Sequence, residues 1–375
     1  MVELLAKFDK LIRPTLVGAA PNLSIWLYSS SKAFFIRTLA NSNPPNIILD
    51  YPATKLWDLD FGFPLFNSAG MFKYGQGYES VSKMGAGAYI CGTTTYLERN
   101  GNIKNGVKHP FIPLPKSGLA INWMGLPNKG HRWTANIISR YNKISNCPLG
   151  ASLATDPGMN EADAALGLVD GLFVYDKAKV DFIEINESCP NVAHHVSVET
   201  VNGLDASMVR RLEFISKEFL LKRNRNLPVI VKYSVETNLE QIPALIDLLT
   251  TLGYDGINFG NTAINYKSIK EKAVNRYEEK VYDKFTSEFG GGVSGSYLKP
   301  ISLEACRTAS KYLKTKELTK EFHVLRTGGV NTAEDLAELG SSFSLAQWYT
   351  GFFDNFGNKG FQTYKNLANQ LKNLS

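Results

Sequence analysis

From about residue 47 onward, short apolar runs alternate with longer stretches whose apolar residues recur at helical spacing. The runs at 65–69, 86–91, 149–154, 182–186, 229–233, 256–260, 324–327 and 343–348 read as eight strands. They are apolar almost throughout, as expected of parallel strands buried on both faces. Helical patterns separate them, for instance at 160–175, 206–221 and 239–252. Eight strands alternating with helices predict an α/β protein of the (β/α)8, or TIM-barrel, type. An open doubly wound sheet is the alternative. Residues 54–63 read as an extended ribbon ahead of the barrel. Two connections are long, 191–204 after the fourth strand and 263–299 after the sixth, and the second is rich in charge and glycine. Long loops at the catalytic end of a barrel act as lids or carry function.

The first 45 residues follow another pattern. Apolar residues at helical spacing fill 2–12, Pro14 and Pro21 punctuate, and a second helical stretch covers 22–39. Two short amphipathic helices are predicted, then a polar linker at 41–45. They read either as a cap on the barrel or as a pad on a membrane surface. Trp26, Tyr28, Phe34 and Phe35, with Lys32 and Arg37, suit an interface. The expected organisation is a helical extension over 1–45 and a barrel catalytic domain over 46–375.

Composition narrows the class. Hydrophobic residues make up 44% and charged residues 20% of the chain, as in an ordinary globular protein with a core. The net charge of +6 is spread out, which argues against nucleic acid. Four cysteines without a spacing pattern suggest neither a disulfide framework nor a metal site. They point to a reducing, cytoplasmic setting. Neither a cleavable signal peptide nor an apolar run of 18 residues is found, so peripheral contact with the inner face of a membrane is the expected limit of association.

Candidate chemistry gathers where predicted strands end. The fourth strand runs into Asn186-Glu187-Ser188-Cys189-Pro190-Asn191, placing amides, a hydroxyl and a thiol at the catalytic end. A thiol there can take a proton, and amides can grip a ring that both donates and accepts hydrogen bonds. Cys91, Cys147 and Cys306 lack such company and read as buried hydrophobes. Lys232 sits inside an apolar strand, where an amine must meet an anion. Lys73 follows the first strand, and Asn122 and Asn261 add further amides. Gly290-Gly291-Gly292-Val293-Ser294-Gly295 precedes a helix beginning near Pro300, Gly328-Gly329 follows strand seven and Tyr349-Thr350 follows strand eight. The loops after strands seven and eight are the usual phosphate site of such barrels, and the three stations together favour a phosphate-bearing cofactor. No dinucleotide glycine fingerprint occurs at a first strand–helix turn, which favours a mononucleotide.

With these residues in view the chain resembles the dihydroorotate dehydrogenases over roughly residues 54–371. Asn-x-Ser-Cys-Pro-Asn, Asn-x-x-Gly-Leu-x-Asn, Val-Lys, Asn-Thr, Ser-Gly, Gly-Gly-Val and Tyr-Thr occur in the family's order. The resemblance implies an FMN-containing barrel that oxidises (S)-dihydroorotate to orotate in pyrimidine biosynthesis. It makes Cys189 the base that takes the C5 proton while hydride leaves C6. It gives the substrate to Asn122, Asn186, Asn191, Asn261 and Thr262, with Gly125 and Leu126 closing the pocket and Lys73 between substrate and flavin. Ala69, Gly70, Thr93, Ser152 and Gly260 line the flavin on this reading, with Asn122 and Asn186 touching it as well. Lys232 lies at its pyrimidine end, and Ser294, Gly295, Gly328, Gly329, Tyr349 and Thr350 hold the phosphate. A cysteine base is similar to the soluble class, which uses fumarate or an NAD-linked partner. Lys73 and the helical extension look like the membrane-associated class, whose helices form a quinone entrance, and quinone is the expected acceptor. The alternatives are a fumarate-linked enzyme, a flavin barrel acting on another pyrimidine, and a barrel that only binds a phosphate ligand.

Overall fold

The computed structural model describes residues 1–187 and 199–374. Its centre is one parallel sheet of eight strands: β1 (Leu65–Asn67), β2 (Tyr89–Thr94), β3 (Leu149–Leu153), β4 (Phe182–Asn186), β5 (Val229–Tyr233), β6 (Gly256–Phe259), β7 (His323–Thr327) and β8 (Leu345–Trp348). Each strand pairs in parallel with its neighbours in sequence, from β2 through β8, and β8 returns to pair with β1. All eight predicted strands are present in the predicted order.

The ring closes by a different device between β1 and β2. The buried Asn67 side chain donates to the Ile90 carbonyl at 2.7 Å and accepts from its amide at 3.4 Å. Gly87 N–H donates to the Leu65 carbonyl at 3.2 Å. An amide side chain thus replaces ladder bonds at the seam.

Alternation explains what each strand face does. Ile183, Ile185, Val229, Val231, Ile257, Val324 and Trp348 belong to the large apolar core between strands and helices. On the other face Phe66, Ile90, Phe182, Ile230, Leu325 and Leu345 make a separate apolar cluster. The hairpin Thr54–Leu56/Leu59–Phe61 adds Leu56 and Phe61 to that cluster, with Trp57 from its turn, and so plugs the bottom of the barrel. Helices Glu161–Lys177 and Ala206–Ile215 start at side-chain caps, with Asn160 accepting from Asp163 N–H and Asp205 from Met208 N–H.

Residues 263–299 correct the expectation of a lid loop. They form helices Tyr266–Ala273 and Glu279–Glu288 and a strand Gly292–Gly295. That strand pairs antiparallel with Leu119–Asn122, which pairs with Phe111–Leu114. Ile112, Ile121, Ile269, Val281, Phe285 and Val293 bury together as a second core, joined by Val17 and Ile25 from the N-terminal helices. Charges around Val281, Tyr282 and Phe285 mask a short apolar stripe in the sequence.

The extension is two helices, α1 (Val2–Ala19) and α2 (Pro21–Ala40). Pro14 lies inside α1 and does not end it, whereas Pro21 opens α2. The pair packs on the helix after β8, Thr350–Lys359: Arg13 reaches Asp354 at 3.2 Å, and Phe35 meets the rings of Phe353 and Phe356. No helix among the described residues is long and apolar enough to cross a membrane.

Candidate active site

Towards the carboxyl ends of the strands the inner face turns polar. Glu184 and Asn186 follow Phe182 at period two on β4, and Lys232, Asn258, Thr327 and Gln347 hold equivalent places on β5 to β8. Glu184 is fully buried and accepts from Lys232 Nζ at 2.6 Å, and from Asn258 Nδ2 and Gln347 Nε2 at 2.8 Å each. The Thr327 hydroxyl lies 2.9 Å from Asn258 Oδ1 and 3.1 Å from Gln347 Oε1, so both amides turn their nitrogens to the carboxylate. A buried lysine and carboxylate are tolerable only when paired and hydrogen-bonded in this way.

Above this floor is a cavity lined by residues from every part of the barrel top. Asn186 Nδ2 donates to Thr93 Oγ1 at 3.2 Å and Asn261 Nδ2 to Asn186 Oδ1 at 3.3 Å. Thr93 and Ser152 hydroxyls are 3.0 Å apart. Asn261 also accepts from Thr262 N–H at 3.0 Å, and the buried Thr262 hydroxyl has no hydrogen-bond partner among the described residues. Asn122 enters from the small antiparallel sheet, and Lys73 lies 3.6 Å from the point a Gly70 Cβ would occupy.

At the other side of the cavity the backbone makes a cradle. Gly295 and Gly329 have φ of 115° and 75°, and a Cβ on them would meet Gly118 O at 2.2 Å and Lys299 N at 2.3 Å. The Ser294 and Thr350 hydroxyls are 2.9 Å apart, and helix Thr350–Lys359 begins there. A helix start beside glycine-lined backbone is suited to an anion.

The profile of the dihydroorotate dehydrogenase family matches residues 51–373. The chain belongs to the dihydroorotate dehydrogenase family. A quinone-type dihydroorotate dehydrogenase of Trichodesmium erythraeum is 27% identical over 300 residues, covering 79% of this chain and 73% of the relative. One of Saccharophagus degradans is 25% identical over 330 residues, 87% of this chain and 88% of the relative. The structure of the Eimeria tenella enzyme in complex with ferulenol superposes with a TM-score of 0.72 at 19% identity, over 92% of this chain and 90% of that one, a likeness of fold.

For this oxidoreductase family member, the cavity brings together most residues singled out from sequence. Lys73, Asn122, Leu126, Asn186, Asn261 and Thr262 line it, as do Ala69, Gly70, Thr93, Lys232 and Gly260. So do Ser294, Gly295, Gly328, Gly329, Tyr349 and Thr350. Two stand behind the lining. Ser152 stands behind Thr93, and Gly125 (φ 69°) makes the turn that presents Leu126. Cys189 and Asn191 lie outside the described residues. Their approach is anchored: Glu187, just after β4, accepts from Arg211 Nε at 3.0 Å and donates its N–H to the Lys232 carbonyl at 3.0 Å.

Sequence reasoning missed Glu184, Asn258 and Gln347. Their signal was the period-two place they share with Asn186 and Lys232, hidden inside runs that read as apolar. A second cavity, between α1, α2 and the barrel, is lined by Leu5, Phe8, Ile12, Leu27, Phe34 and Leu119 among others. Both cavities share Lys32, Gly118, Tyr349, Thr350 and Asp354 and so adjoin. Lys32 Nζ lies 4.1 Å from the Phe111 ring centre and 5.0 Å from that of Tyr349. Burial, and then the charge of Lys73, holds its amine well below the usual lysine range.

Proposed function

We propose that this chain oxidises dihydroorotate to orotate in pyrimidine biosynthesis, with FMN in the barrel-top cavity and a quinone as electron acceptor. The observation that carries the reading is one cavity holding an amide cluster, cationic lysines and an anion cradle. Asn122, Asn186 and Asn261 suit a flat ring with amide and carboxylate groups, since each amide both donates and accepts. The Thr262 hydroxyl, without a hydrogen-bond partner among the described residues, offers a place where a ligand atom completes the bonding. The glycine cradle and helix start suit a phosphate, so the residues present fit a phosphate-bearing flavin.

Bound FMN supplies hydride acceptance. The protein's part is placement and charge. Asn186 and Asn261 orient the ring, and Ser294, Gly295, Gly328, Gly329, Tyr349 and Thr350 hold the phosphate. Lys73, Lys232, Ala69, Gly70, Thr93 and Gly260 would line the flavin site, with Lys73 also reaching the substrate. Ser152 acts through Thr93, and Gly125 through Leu126. Cys189 takes the C5 proton, with Asn191 closing the substrate site. Residues 46–375 form the catalytic unit. Residues 1–45 form the acceptor side, where the apolar second cavity admits a quinone. The relatives named as quinone enzymes favour this over fumarate or an NAD-linked partner. At the mouth of that cavity Phe8 and Phe34 are 62% and 59% exposed, and Leu4, Leu11 and Trp26 are exposed on the same two helices, which supports peripheral contact with a membrane.

The test is anaerobic. The FMN-loaded protein is expected to bleach with dihydroorotate and to regain colour with a soluble quinone. Recovery with fumarate or NAD and not with quinone would move the second cavity to a structural role. Absence of bleaching would reject the substrate.

A further inference from the structure

The ion pair beneath the cavity carries a consequence for the cofactor. Lys232 reaches the cavity, but its amine is 2.6 Å from a carboxylate with no exposed surface. Every oxygen of Glu184 is engaged: Oε1 by Lys232 and, at 3.5 Å, by the Ser152 hydroxyl, and Oε2 by the two amides. Glu184 itself does not line the cavity. It lies one layer below Asn186, opposite Ser152 on β3 and Ile230 on β5. The apolar plug of Phe66, Phe182, Ile230 and Leu325 closes the barrel beneath, so water does not screen the charge from below.

Such a carboxylate is costly to bury. A lysine alone would present a full positive charge to whatever occupies the cavity. With Glu184 beside it the floor is close to neutral, while the amine is held in one position by a charge-assisted bond. Reduction adds negative charge to a flavin, so a neutralised floor favours the reduced form less than a bare ammonium would.

We propose that Glu184 is a positioning residue that fixes the Lys232 amine towards the cofactor and, by neutralising it, lowers the reduction potential of the bound flavin. The proposal rests on the FMN reading above. A lowered potential eases electron release to the acceptor and weakens the pull on the substrate's hydride.

The experiment measures the midpoint potential of FMN in the purified full-length holoprotein, by equilibration with reference dyes. In Glu184→Gln the potential is expected to rise, with reduced flavin favoured at least tenfold over wild type, about 30 mV for a two-electron couple. An unchanged or lower potential in the flavin-loaded variant overturns the role of Glu184 and leaves FMN in place. If Glu184→Gln loses flavin, Glu184→Asp decides. It keeps the charge but withdraws it from Lys232, so a smaller rise is expected, and no rise overturns the proposal. A wild-type chain that takes up no FMN overturns both readings.

Discussion

Cys91, Cys147 and Cys306 are buried, and burial pushes each thiol up to about 12. They can serve packing but not proton transfer near neutral pH. Cys189 stands in different company, three residues beyond the amide of Asn186. Cys189→Ala is expected to keep flavin and lose turnover by about 10²–10⁴-fold, the usual worth of a positioned base. Near-normal turnover, measured with dihydroorotate and a dye acceptor, removes the thiol from the reaction. His131 gives a second residue-scale expectation. It is fully buried, with Nδ1 2.8 Å from the Thr94 hydroxyl, and burial, then the charge of Arg132, lowers it to about 3. The unfolded chain takes up a proton near the ordinary value of 6.5, while the folded chain does so only near 3. This group therefore costs stability as pH falls through that window, by about 1.4 kcal/mol per unit. Urea unfolding of His131→Asn should show a flatter profile than wild type from pH 6.5 downward, and parallel profiles would show that the histidine is not held neutral.

At the scale of elements, α1 and α2 pack into both cores and also line the second cavity. Val2, Ala6, Ile36 and Leu39 join the main core, and Val17 and Ile25 join the second, which accounts for the helices as a cap. The same helices leave Phe8 and Phe34 exposed at a cavity mouth, which a cap alone does not require. Of the residues read as interfacial, Trp26, Phe34 and Arg37 are exposed, Tyr28 is buried against Asp9 at 2.8 Å, and Lys32 turns inward between the two cavities. Replacing both Phe8 and Phe34 by serine should lower co-sedimentation with phosphatidylcholine vesicles severalfold while dihydroorotate still bleaches the flavin. Equal sedimentation of the two proteins would leave the helices as a cap only.

At the scale of the whole molecule, the β1–β2 seam is closed by the Asn67 side chain together with a few backbone bonds, among them Gly87 N–H to the Leu65 carbonyl. Asn67→Ala strands the Ile90 peptide group, and an unpaired buried polar group costs about 1–3 kcal/mol. Thermal unfolding should register that loss, and an unchanged midpoint would mean that the seam closes by backbone contacts alone. The eight-strand rhythm, and with it the barrel, was legible in the sequence because apolar runs and helical periodicity are local properties of a chain that must bury both faces of its strands. Part of the cavity lining was legible: Asn186, Asn261 and Gly328-Gly329 stand beside breaks in regular structure, and Lys232 is a charge inside an apolar strand. Glu184 was not legible, because its neighbours make the run read as apolar and its partners lie 48, 74 and 163 residues away. The order within 263–299 was hidden for a related reason: its apolar residues are few, and their partners are the 107–122 region and the N-terminal helices. Local pattern determined which segments are the strands and helices of the barrel. Only the tertiary structure decided which polar residues meet inside the barrel, because the pairing of charges across strands depends on closure and register.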